Sequence, residues 1–181
     1  MFLTLPFILA GCANPLNQAT YERYCSLGDT AFANKNFQYA GVMYSRAAQN
    51  ADMGKLGDGP KARALYNAGE SVRLWGGDYK SAESMLLQAQ AISEKIWNDS
   101  AHDRERNSLL VALSLLYLDT NEPAKGWIYV SKTFGQPDLP NFKWKIIYEK
   151  YEPVLTGHGM TVEAGKLREE LEKRQGTAQS G

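Results

Sequence analysis

Residues 21–48 read YERYCSLGDTAFANKNFQYAGVMYSRAA, and the spacing within them decides the fold. Tyr24, Leu27 and Gly28 recur at three- and four-residue intervals. Asn34-Lys35-Asn36 interrupt the pattern, and Phe37, Ala40, Tyr44 and Ala47-Ala48 resume it. Apolar residues at such intervals mark one face of an amphipathic helix, so the stretch predicts two helices joined by a tight turn. Small residues at Gly28, Ala40 and Ala47 let two antiparallel helices approach closely. Tyr24, Phe37 and Tyr44 fill the space between successive pairs.

The pattern returns over 62–96 as Leu65, Ala68-Gly69, Gly77-Asp78-Tyr79, Ala82, Leu86 and Ala89, with one residue inserted in the first helix or in the turn. A weaker copy over 107–134 keeps Leu110, Leu113, Tyr117, Asn121, Gly126 and Val130, and 141–174 keeps Trp144, Ile147, Tyr151 and Ala164. Clusters of Gly, Pro, Asn and Asp divide the chain into helices predicted at 19–34, 37–51, 60–75, 79–97, 101–119, 122–134, 141–152 and 160–175. Asn36 and Asp78 stand where N-caps are needed, Ser100 and Asp103 have capping-box spacing, and Pro60 suits a first helical position. The charged last helix has Leu167 and Leu171 as its apolar face, which fits a lid over the end of a core. No segment alternates as a strand would. The fold class is therefore all-α: antiparallel helix pairs stacked as a short solenoid of three to four repeats, because one pair cannot bury its apolar face alone.

These residues resemble the tetratricopeptide repeat. Sel1-like repeats are a near neighbour, through Met43-Tyr44-Ser45-Arg46-Ala47-Ala48 and Tyr66-Asn67-Ala68-Gly69. The intervals from Phe37 to Tyr79 and from Tyr79 to Pro123 exceed the roughly 34 residues usual for the family. The resemblance implies a groove, lined by the first helix of each pair, that holds a peptide or an extended protein partner. Its lining positions fall on Cys25, Asp29 and Phe32, then Arg63, Tyr66, Asn67, Glu70 and Arg73, then an apolar patch of Val111, Leu115 and Leu118. Aromatic and Arg residues together have the composition of a binding hot spot. The family's clamp for a free C-terminal carboxylate uses Lys and Asn where this chain has Cys25 and Asp29, so capture of a chaperone tail is not expected.

Leu9-Ala10-Gly11-Cys12 closes an apolar opening run and resembles the lipobox of bacterial lipoproteins. The resemblance implies a signal peptide at 1–11, acylation of Cys12 and a lipidated tether at 12–19, before a helical domain at 20–175 and a disordered tail at 176–181. Stable anchoring takes more than one acyl chain. The apolar run is shorter than the about 20 residues a spanning helix needs. Ala13 follows the cysteine, whereas Asp there favours inner-membrane retention in proteobacterial lipoproteins, so the expected location is the outer membrane, facing the periplasm. Secretory signals carry basic residues before the apolar run and none precedes Phe2; an upstream start codon would supply them. A soluble repeat domain without an anchor is the alternative.

Basic and acidic residues balance at 20 each, so no global field favours nucleic acid, and no nucleic-acid partner is expected. His102 and His158 are the only histidines and Cys-x-x-Cys is absent; no metal and no cofactor is expected. Neither a nucleophile elbow nor a phosphate-cradling loop occurs. The cluster His102-Asp103-Arg104-Glu105-Arg106 reads as an exposed first turn of mixed charge, and Cys25 as a small buried residue. The expectation is therefore no enzyme and no small-molecule substrate. It is a lipid-anchored scaffold for protein partners, similar to the small repeat lipoproteins of pilus and secretion assembly.

Overall fold

The computed structural model describes residues 15–96, 102–136 and 141–178. They form eight helices: α1 (Pro15–Ala33), α2 (Phe37–Met53), α3 (Asp58–Trp75), α4 (Tyr79–Ile96), α5 (Asp103–Asp119), α6 (Pro123–Lys132), α7 (Asn141–Gly157) and α8 (Thr161–Ala178). The described residues contain no strand. Successive helices pack side by side, α1 through α5 in sequence, then α5 with α6 and α7 with α8. None of the described helices is long and apolar enough to cross a membrane.

One turn geometry recurs in all four pairs. At the end of α1, Asn36 N donates to Ala31 O and Lys35 N to Phe32 O, with Lys35 at φ 58°. This is the six-to-one and five-to-two pattern that closes a helix on a left-handed residue. It repeats with Gly76 (φ 73°), Asn121 (φ 59°) and Gly159 (φ 74°) in the left-handed position. Asn36 then caps α2, its Oδ1 accepting from Tyr39 N at 3.2 Å. In the second pair these two roles fall on two residues. Gly77 N donates to Val72 O, and Asp78 accepts from Lys80 N at 3.0 Å and from the Ser81 hydroxyl at 2.7 Å. The inserted residue is thus Gly77, in the turn, where a Cβ would collide with the Trp75 indole.

Glycines within the helices mark close helix approach. A Cβ on Gly28 would come within 2.6 Å of Tyr44 Cε1, and one on Gly69 within 2.7 Å of Leu86 Cγ. Gly69 thus stands to Leu86 as Gly28 stands to Tyr44, one pair later. In the third pair the buried Ser114 carries this position, 86 residues after Gly28 as Asn121 is after Lys35. Gly126 fits against Tyr151, whose hydroxyl donates to Ser114 O.

Two apolar clusters share α5. Leu109, Ala112, Leu113, Leu116 and Tyr117 join Ala47, Ala64, Leu65, Leu86 and Ala89, whereas Val111 joins Val130, Ile147, Tyr151, Leu155 and Leu167 of the last three helices. A helix buried on opposite sides is apolar nearly all round. Leu115 and Leu118 pack against that second cluster. The third part of the expected groove, Val111, Leu115 and Leu118, is therefore core, not an open patch.

Boundaries follow the expected breaks, with the main differences at four helices. α1 starts at Pro15, so helix occupies much of the expected tether, and α8 runs to Ala178, into the expected tail. α3 starts at Asp58 behind Gly57, which puts Pro60 third in the helix, where its missing N–H is still one that would lack an intrahelical partner. α7 continues past Pro153 to Gly157. An internal proline costs about 3 kcal/mol, and burial of Leu155, worth about 2 kcal/mol, together with the turn at Gly159 favours continuation. Ser100 of the expected capping box, and Cys12 with the rest of 1–14, lie outside the described residues.

Candidate partner-binding cleft

Arg63, Tyr66, Asn67, Glu70 and Arg73 follow one another at three- and four-residue steps and so form a stripe along α3. The structure divides that stripe in two. Its first half opens on a cleft of about 270 Å³, where Arg63, Tyr66 and Asn67 meet Arg104, Glu105 and Leu109 of α5. Tyr66 is half-buried, and burial pushes its phenol above the ordinary tyrosine range, with Ser108 of α5 bonded to it. Arg63 and Arg104 are both exposed, and neither has an ion-pair partner among the described residues.

The second half is closed. Arg73 is only 8% exposed. Its Nε and Nη2 donate to both Glu70 oxygens at 2.8 and 2.7 Å, and its Nη1 donates to Asp119 Oδ2 at 2.6 Å. Burial acts to lower the guanidinium pKa, but the two carboxylates outweigh it and raise the value, so Arg73 stays charged. Arg73 and Glu70 are thus an internal tie between α3 and α5, which revises the expectation that they present free groups to a partner.

The α1 positions lie apart from this cleft. Asp29 accepts from the buried Tyr44 hydroxyl at 2.6 Å, so it holds α1 to α2. Phe32 meets the Phe37 ring edge-on at 5.2 Å across the first turn and keeps 36% of its surface exposed. Cys25 is half-buried beside Tyr21, whose hydroxyl donates to Pro60 O at 3.2 Å and links α1 to the next pair. Burial pushes the Cys25 thiol up, the Tyr21 contact offsets part of this, and Asp29 adds to it. A protonated, half-buried thiol is a poor nucleophile. Arg63 acts electrostatically on both Tyr21 and Cys25, so it stands between the two regions.

The α5 wall was not foreseen. Arg104 and Glu105 belong to a cluster that reads in sequence as a solvated first turn, and Arg106 does pair locally with Asp103. The available signal was a polar stripe at 104, 105 and 108 on a helix otherwise buried. Among the described residues no group of three or more His, Cys, Asp and Glu could hold a metal ion. The cleft offers guanidinium, carboxamide and phenol groups over an apolar floor, which suits recognition by hydrogen bonds and charge. No protein-family model matches the chain, and no curated protein is significantly similar to it.

Proposed function

We propose that this chain is a lipid-anchored, tetratricopeptide-like adaptor that holds a protein partner in the cleft between α3 and α5 and serves an envelope assembly such as a pilus or secretion apparatus. The observation that carries the reading is the cleft itself: the first helices of two successive pairs bring Arg63, Tyr66 and Asn67 against Arg104 and Leu109. Recurrent small–large contacts between paired helices, Gly28 with Tyr44 and Gly69 with Leu86, support the repeat assignment. The anchor rests on Leu9-Ala10-Gly11-Cys12, and the outer membrane on Ala13.

A photocrosslinking side chain placed at Asn67 in the producing cells tests the site. It is expected to capture a protein that the same probe at the exposed Val162 of α8 does not. Equal capture at both positions, or none at either, removes the cleft as the partner site. Labelled palmitate tests the anchor: incorporation that disappears in Cys12→Ser supports it. Absence of label in the unaltered chain leaves a soluble repeat domain.

A further inference from the structure

We propose that the cleft between α3 and α5 takes an acidic peptide segment, with a side-chain carboxylate held between Arg63 and Arg104 and a neighbouring apolar side chain laid on Tyr66 and Leu109. This rests on reading the cleft as the partner site, and it names what the partner must present there.

Charge is the first argument. The chain has as many acidic as basic residues, and Arg73, Arg106, Arg168 and Arg174 are each paired with a carboxylate. Arg63 and Arg104 line one small space without such a partner among the described residues. Two like charges in a partly enclosed site repel, and a carboxylate between them turns that repulsion into attraction. The guanidinium fork matches a carboxylate with two parallel hydrogen bonds. Glu105 stands on the same wall and opposes an anion, but it is one carboxylate against two guanidiniums.

Size and polarity are the second. About 270 Å³ falls below the roughly 300–1,000 Å³ of pockets that enclose whole small molecules. It is room for one or two side chains of a longer segment. Asn67 is half-buried and its carboxamide makes no hydrogen bond among the described residues, which leaves it to bond a peptide backbone. Tyr66 and the buried Leu109 supply apolar surface next to the charges. A phosphate chain would want more cations along its path than Arg63 and Arg104 supply.

The test selects random displayed peptides on the full chain and measures the winners by fluorescence anisotropy as synthetic peptides with amidated C-termini, so that only side-chain carboxylates are presented. Winners enriched in Asp and Glu beside an apolar residue are expected. Their affinity should fall about tenfold or more in Arg63→Glu/Arg104→Glu, the loss of charged hydrogen bonds, and should weaken as salt rises from about 50 to about 500 mM. Arg63→Gln/Arg104→Gln, both at exposed positions, should show an intermediate loss with an unchanged helical circular-dichroism spectrum. Neutral or basic winners that crosslink to the Asn67 probe overturn the acidic inference and leave the cleft as a partner site. Acidic winners that bind the charge-reversed variant equally well also overturn it. Winners that bind elsewhere, or no winners, overturn both readings.

Discussion

Arg73 Nη1 on α3 donates to Asp119 Oδ2 on α5 at 2.6 Å, joining residues 46 apart in sequence. The same guanidinium grips Glu70, three residues back. Removing it as Arg73→Ala leaves two carboxylates facing each other in a largely buried place. Breaking a fully buried pair costs about 3–5 kcal/mol. Because the Asp119 side chain remains 31% exposed, the expected loss here is about 2 kcal/mol. Urea unfolding followed by circular dichroism measures it, and peptide binding in the cleft should survive in the folded fraction. A neutral effect on stability would mean that solvent already screens the three charges.

Gly28→Ala should destabilise the first pair. The new methyl meets the Tyr44 ring, and that ring cannot retreat freely because its hydroxyl is bonded to Asp29 at 2.6 Å. Overpacking costs about 1–3 kcal/mol, offset by up to about 1 kcal/mol of helix propensity. Adding Tyr44→Leu, which shortens the opposing side chain, should recover part of the loss. Additive effects in the double variant would show that the two residues do not oppose each other.

The four left-handed turn residues are not equivalent. Gly76 and Gly159 adopt this conformation without strain, but Lys35 holds φ 58° against a side-chain clash. Lys35→Gly should raise stability by about 1 kcal/mol, and Gly76→Ala should lower it by about as much. Thermal midpoints of the two variants should move in opposite directions.

Pro153 sits inside α7. Pro153→Ala restores an N–H donor and removes the ring clash, so it should stabilise the chain by roughly 1–3 kcal/mol. A loss of stability instead would show that the burial of Leu155 depends on the local bend. Denaturant midpoints of the two proteins decide between these outcomes.

Acid should destabilise the fold through three solvent-accessible carboxylates. The Ser81 hydroxyl holds Asp78 below its ordinary range, Lys125 does so for Glu122, and Arg168 for Glu152. A carboxyl with a lowered folded pKa contributes stability that is complete above its unfolded value and is lost as pH falls through the folded one. The thermal midpoint should hold steady from about pH 7 to about pH 5 and drop below about pH 4. Asp78→Asn keeps an N-cap acceptor but does not titrate, so its acid limb should be shallower. Parallel limbs would assign the acid response to other groups.

Much of the fold was legible because its signals are local. Asn36 and Asp78 stop and start helices through bonds that reach two or three residues, so composition alone marks them. The contact of Gly28 with Tyr44 was legible only in part: spacing marked Gly28 as a point of close approach but assigned Tyr44 to the space between successive pairs, whereas its ring packs on Gly28 within the first pair. The placement of the inserted residue at Gly77 needed the hydrogen bonds of the turn. So did the extent of α7, where long-range burial of Leu155 outweighs a local proline rule.

The stripe from Arg63 to Arg73 shows where this legibility ends. Helical periodicity alone puts all five side chains on one side of α3, since each step of three or four residues returns to the same face. Periodicity is silent on what stands opposite. Asp119 closes over Arg73, whereas Arg104 opens a cleft beside Arg63, because α5 packs across α3 at one end of the stripe and leaves space at the other. Coulombic partners at separations of about 40 residues are set by the stacking of the pairs, so they appear only once the chain is folded.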